Sequence, residues 1–207
     1  MKFPSKLLVL LLAILLQACG VPTKQDTPFE TVDWNKQQQR LQALQSWVVR
    51  GRIALQTADN GGQADFIWEQ KNADDYGIRL HAPMGAGTTL IEGHKHGVSL
   101  TTPSGDTMVD TDVDRLILQI NGWPIPVRGL KYWIRGLSSP GSPHQVASWY
   151  QNGLPEVMFQ DGWRIEFRKH KQLGDLFVPG KLFISRVNND EEVDVRLVVR
   201  QWEVGDV

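Results

Sequence analysis

Asp110, Asp112 and Asp114 place carboxylates on alternate positions, the opening spacing of a calcium-binding loop. The rest of that loop is missing, since Arg115 stands where its glycine is required and Asn121 where its glutamate is required. The same residues suit the start of a helix, where a carboxylate accepts from free backbone N–H groups. His94 and His96 could present two imidazoles on one strand face. Gly93 and Gly97 flank them and no cysteine or acidic cluster completes a metal site, so a solvated turn is expected. Asp65 and Glu69 lie on the wet face of a strand, where solubility places carboxylates, and do not read as a glycosidase pair. Ser138 and Ser139 sit in a Pro/Gly-rich loop, and the chain contains no Gly-x-Ser-x-Gly, no phosphate-binding loop ending in Lys and no His-Glu-x-x-His. The expectation is a protein that is not an enzyme and requires no metal or other cofactor.

The remaining reactive side chain is Cys19, the single cysteine of the chain. It closes a segment that carries Lys2 and Lys6, an apolar run from Leu7 to Leu16, then Gln17 and Ala18. The run is shorter than the roughly 20 residues a spanning helix needs, and it ends in a small residue, as a cleaved export signal does. Leu16, Ala18 and Cys19 resemble a lipobox, with Gln17 at a position where a smaller residue is usual. Residues 1–18 are therefore expected to be removed and Cys19 to carry lipid. A free thiol or an intermolecular disulfide would leave the preceding signal-like segment unexplained. A lipidated thiol is consumed, which excludes a cysteine nucleophile, thiol redox chemistry and a cysteine zinc site.

Gly20 follows the cysteine, whereas aspartate there is the usual inner-membrane retention signal of enteric bacteria. The expected location is the periplasmic face of the outer membrane, with the protein lipid-anchored. Residues 19–31 are polar, include Pro22 and Pro28 and read as a tether, while residues 32–207 are long enough for a single domain. The 22 Lys and Arg nearly cancel the 23 Asp and Glu, with no basic block outside the signal, so no nucleic-acid partner is expected.

The elements that must position these residues follow from the hydrophobic period. Asp33 can cap a helix running to about Leu44, with Trp34, Leu41 and Leu44 inward and Gln37, Gln38, Gln39 and Arg40 wet. From Trp47 the period becomes two. Trp47, Val49, Gly51, Ile53 and Leu55 share one face, Asn60-Gly61-Gly62 turns the chain, and Ala64, Phe66 and Trp68 return on that face. Short strands are expected at 76–81, 88–93, 98–102 and 106–109. Asp112 and Asp114 open a helix through Ile120 that Gly122 closes, and after Pro124 and Pro126 a second helix is expected over 127–137. Strands at 145–151, 156–160, 163–169, 181–187 and 193–202 complete the chain. The fold class is mainly β with helices: about eleven antiparallel strands in a curved sheet, an open or half β-barrel, with short α-helices against its concave side.

Within that frame, Ser46-Trp47 leads into Gly51-Arg52-Ile53-Ala54, and Pro83-Met84-Gly85 joins two strands. Gly122-Trp123-Pro124-Ile125-Pro126 and Tyr132-Trp133-Ile134-Arg135-Gly136-Leu137 follow in order. Together, behind a lipobox, these segments resemble the LolB family, and the resemblance covers most of residues 32–207. It implies an outer-membrane lipoprotein receptor whose apolar cavity, lidded by helices, accepts the acyl chains of lipoproteins from a periplasmic LolA-type carrier and inserts them into the outer membrane. Neither ATP nor a metal is implied, and a monomer is expected.

Eight tryptophans are many for this length, and aromatic faces of this type ordinarily fill a solid core. Under the resemblance the curved sheet leaves room for ligand instead. The cavity-lining residues are then expected to be Val49, Ile53, Phe66, Trp68, Ile78, Leu80, Leu90, Trp133, Ile134, Phe167 and Leu197. In the loop over 81–88 the resemblance implies an exposed apolar residue that aids membrane insertion. Met84 holds that place between Pro83 and Gly85, the alternative being an ordinary turn with a tucked methionine. Arg52 and Arg135 fall within the motif segments and are assigned no role. Two other readings stay open: a scaffolding lipoprotein with a filled core that docks another envelope protein, and an envelope enzyme using an acid/base pair not visible in the sequence.

Overall fold

The computed structural model describes residues 31–188 and 191–205. The expected signal segment, Cys19 and the tether up to residue 30 lie outside the described residues. The first helix, α1 (Trp34–Ala43), is capped by Asp33, whose carboxylate accepts from the Lys36 amide at 3.2 Å. One expectation for it is corrected. Gln37 is not wet but buried, because its amide nitrogen donates to the Phe177 carbonyl at 2.6 Å and is thereby satisfied away from water.

Six strands follow: β1 (Trp47–Gln56), β2 (Gly61–Gln70), β3 (Tyr76–His81), β4 (Thr88–His94), β5 (Gly97–Thr101) and β6 (Thr107–Asp110). Two helices come next, α2 (Val113–Asn121) and α3 (Val127–Trp133). The chain ends in β7 (His144–Trp149), β8 (Pro155–Gln160), β9 (Trp163–Arg168), β10 (Lys171–Leu173), β11 (Leu176–Val178), β12 (Lys181–Asn188) and β13 (Glu191–Val204). Eleven of these strands form one antiparallel sheet in the order β6-β5-β4-β3-β2-β1-β13-β12-β9-β8-β7, so β6 and β7 are free edges and the sheet is open. The β10–β11 hairpin stands apart and is absent from the sequence reading. It is short, and its turn relies on Gly174 in the left-handed region at φ 58°.

Alternation explains the sheet's two faces. In β1 the residues Trp47, Val49, Gly51, Ile53 and Leu55 are buried while Arg52 and Gln56 are exposed. At Gly51 the pairing with β13 shifts by one residue. A Cβ there would meet the Val198 carbonyl oxygen at 2.2 Å and the Phe66 ring at 2.9 Å, so the glycine lets a neighbouring strand and a core ring approach the backbone directly.

The helices cover the concave face, where Leu116 and Ile117 of α2 and Leu130 and Trp133 of α3 join the core formed by Phe66, Trp68 and Leu197. Asp112 caps α2 by accepting from the Asp114 and Arg115 amides, and Gly122 stops it at φ 65°. The second helix ends at Trp133 rather than Leu137. Residues 134–136 form a turn in which Gly136 adopts φ 83°, a conformation that terminates helical hydrogen bonding.

Candidate functional site

Under the two helices lies a pocket of about 30 Å³, lined on the sheet side by Ile53, Phe66, Trp68, Ile78, Leu80 and Leu197. Ile91 joins them from β4, and Ile117, Ile125, Val127 and Leu130 close it from above. All of these side chains are hydrocarbon or aromatic. A space this small admits no acyl chain, so the region between the sheet and the two helices is packed rather than hollow at this point.

Six of the eleven residues expected at a cavity therefore meet at this pocket. Val49, Ile134 and Phe167 are fully buried in the surrounding core and do not line it. Trp133 is buried beside a different opening. Leu90 requires a correction: it pairs with exposed Arg79 on the convex side, and Ile91, opposite Ile78, holds the inward position. A one-residue step in a strand reverses the face a side chain occupies, and Leu90-Ile91 offers two apolar neighbours between which the alternation alone does not choose.

The second opening is a groove of about 680 Å³ along α3. Trp163 and Arg186 reach it from the sheet, Asp114, Arg128 and Lys131 from the helices, and Asp74 and Asp161 from turns. Trp68 and Val127 line both the groove and the apolar pocket, so the two adjoin. Asp114 accepts from the Arg128 amide and from its Nε, each at 3.2 Å, and Arg128 also reaches Asp112 at 3.4 Å. Burial raises the Asp114 pKa despite these partners, and it lowers that of Lys131, whose ammonium bonds the Ala73 carbonyl. Burial, followed by the nearby Asp114 and Asp112 charges, pushes the Tyr76 phenol up to about 12. The Arg186 guanidinium lies 4.4 Å from the Trp163 ring centroid, and its buried Nε has no hydrogen-bond partner among the described residues.

Met84 projects fully into solvent at 102 % relative exposure. The Pro83–Gly85 segment forms a single 3₁₀ turn in which Met84 adopts φ 56°, and the Ala82 amide closes the loop onto the Gly87 carbonyl at 3.1 Å. The methionine is therefore held out by its own backbone and not tucked.

The constellations discounted in the sequence behave as structure. Asp110 pairs with Arg115 at 2.9 Å, and His94, exposed, contacts Asp75 at 3.1 Å. No group of three or more His, Cys, Asp or Glu side chains among the described residues could hold a metal. Sequence reasoning missed two buried polar residues that place the helices. Arg135 donates to the Leu41 and Leu44 carbonyls at 3.0 and 3.1 Å, tying α1 to the end of α3, and Gln160 binds the loop after α3. A lone Arg or Gln inside an otherwise ordinary pattern carries no periodic signal, although Arg135 does lie within a motif segment.

The sequence profile of the family described as outer membrane lipoprotein LolB matches residues 45–202. The chain belongs to the LolB family. It is 36 % identical over 195 residues to the outer-membrane lipoprotein LolB of Alkalilimnicola ehrlichii, covering 94 % of each chain. It is 33 % identical to that of Chromohalobacter salexigens, covering 95 % of this chain and 88 % of the relative. Among solved structures, a putative outer membrane lipoprotein-sorting protein domain from Vibrio parahaemolyticus aligns with TM-score 0.53 over 83 % of this chain and 90 % of its own, at 10 % identity. A LolA superfamily protein from Nitrosomonas europaea aligns with TM-score 0.51 over 80 % of this chain and 88 % of its own, at 8 % identity. These two likenesses establish the fold, an open curved sheet with helices on its concave side. LolB-family membership makes this an outer-membrane lipoprotein and not an enzyme.

Proposed function

We propose that this LolB-family protein is an outer-membrane receptor that takes the acyl chains of lipoproteins from a LolA-type carrier into the pocket beneath α2 and α3 and releases them into the membrane. The observation that supports it is the pocket's lining, apolar throughout and roofed by two helices that stand on separate short elements. Because the pocket holds only about 30 Å³, loading requires the roof to lift. Lifting it exposes the buried Leu116, Ile117 and Leu130, at roughly 1.5–3 kcal/mol for each side chain. It also breaks the surface pair of Arg115 with Asp110 of β6, worth no more than about 1 kcal/mol, while the pairs of Arg128 with Asp112 and Asp114 join α3 to α2 and move with the roof. Each buried acyl CH₂ contributes about 0.8 kcal/mol, so burial of a chain of many methylenes is what offsets that cost.

In this reading residues 1–18 are removed, the lipid on Cys19 and the tether over 19–31 hold the domain at the membrane, and residues 32–207 carry the activity as a monomer. Direction follows if the receptor holds acyl chains better than the carrier and the bilayer better still. Met84, exposed on the 3₁₀ turn, is the contact that starts release. The test is transfer of a radiolabelled lipoprotein from its complex with a LolA-type carrier to this protein in outer-membrane vesicles. Cargo is expected to leave the carrier and become integral to the vesicle; cargo that stays on the carrier would overturn the reading.

A further inference from the structure

We infer that the 680 Å³ groove along α3 is a second subsite, which holds the first residues of cargo polypeptide beyond the acylated cysteine. The inference rests on the acyl-pocket reading and extends it. In a lipoprotein the acyl groups and the chain meet at one residue, so whatever buries the acyl groups must meet the first peptide units at the mouth of its pocket. Here the mouth is defined: Trp68 and Val127 line pocket and groove together, and the lining changes at that point from wholly apolar to mixed.

The groove's mixed chemistry suits a peptide, whose polar backbone and side chains both find partners in it. Asp74, Asp114 and Asp161 face Arg128, Lys131 and Arg186, so acceptors and donors are both present, as the carbonyl and N–H groups of an extended chain require. Its volume lies within the range of specific ligand sites. Two of the cations are already engaged, Arg128 with Asp112 and Asp114 and Lys131 with the Ala73 carbonyl. Arg186 is different. Its guanidinium lies 4.4 Å from the Trp163 ring centroid, its buried Nε has no hydrogen-bond partner among the described residues, and the side chain lines the groove, so its donors are not all committed. A peptide carbonyl or a carboxylate of the cargo would complete it.

The experiment places a photo-crosslinking amino acid in the full lipidated protein at one of two positions, then runs the carrier-to-vesicle transfer. Ala73 is an exposed turn residue beside the groove, and Leu80 lines the acyl pocket. The Leu80 probe is expected to label cargo acyl chains, and the Ala73 probe to label the cargo polypeptide within its first several residues. Arg186→Gln is expected to reduce the Ala73 label roughly ten- to a hundredfold, the effect of one lost hydrogen bond to a cation, while the Leu80 label is unchanged. A Leu80 label with no peptide label at Ala73, or with labelling of the carrier alone at Ala73, would overturn the inference and leave the acyl pocket standing. Absence of both labels would remove the acyl-pocket reading and this inference with it. An undiminished Ala73 label in Arg186→Gln would overturn the role given to Arg186.

Discussion

The side-chain oxygen of Gln160 accepts a hydrogen bond from the Trp133 indole N–H at 2.9 Å, inside the core. The same oxygen accepts from the Ser139 amide at 2.8 Å, and the Gln160 nitrogen donates to the Ser139 carbonyl at 2.8 Å. One buried side chain on β8 thus pins the last turn of α3 and the loop behind it to the sheet. At the start of α3 the Arg128 pairs with Asp112 and Asp114 join the helix to α2 and not to the sheet, so this polar tie of α3 to the sheet lies at its Gln160 end.

Gln160→Leu keeps the volume but leaves the indole N–H and both Ser139 backbone groups unpaired. The expected loss is roughly 2–4 kcal/mol, read as a fall in the urea midpoint with the slope unchanged. A loss under about 1 kcal/mol would show that water replaces the glutamine.

Gly51→Ala places a methyl against the Val198 carbonyl oxygen and the Phe66 ring. Backbone cannot yield as a side chain can, so destabilisation of roughly 2–3 kcal/mol or more is expected. Adding Phe66→Leu should fail to rescue it, since the 2.2 Å approach to the carbonyl remains. Recovery in the double variant would assign the clash to the ring instead.

Burial pushes the His170 imidazole down to about 4, and Tyr150 packs its ring edge-on at 5.5 Å. The unfolded chain takes up this proton near 6.5, so the unfolded state binds more protons between the two values. Stability from this group is complete above about 6.5 and is lost as pH falls toward 4, by about 3 kcal/mol at most. Asp114 has the opposite sign, because its raised pKa favours the protonated folded form as pH falls. Comparing thermal midpoints of the native chain and His170→Gln from pH 7 to 4 isolates the histidine, and the variant should show the shallower decline.

At Met84 the side chain is fully exposed, so Met84→Glu should change stability by less than about 0.5 kcal/mol and leave uptake from the carrier intact. Release into vesicles should fall sharply. Met84→Gly relieves the φ of 56° yet removes the apolar contact, and it should fail in release as well. Normal release by the glycine variant would show that the methionine side chain is dispensable.

Much of the sheet was legible because a half-buried strand writes its two faces into alternate residues. The strands of the eleven-stranded sheet, the Asp112 cap and the Gly122 stop all coincide with local signals in the chain. The exceptions share a cause. Leu90 and Ile91 are adjacent and both apolar, so only pairing with β3 selects the inward one. Gln37, Arg135 and Gln160 are polar types that ordinarily face water, and each is buried because a partner remote in the chain satisfies it. The candidate site divides the same way: its apolar wall was visible as strand faces, while the groove residues Arg128, Lys131 and Arg186 were not singled out, as they come from α3 and β12 and meet through folding alone.

The sequence by itself determined the strands of the main sheet and the starts of the helices, the inward face of most strands and the family, because backbone propensity, alternation and motif order are local properties of the chain. Tertiary structure alone decided that the concave side is packed to a pocket of about 30 Å³, that a polar groove adjoins it at Trp68 and Val127, and that Met84 stands in solvent. Cavity volume is a small difference between the space a curved sheet encloses and the side chains that helices push into it, and no single segment of sequence carries both terms.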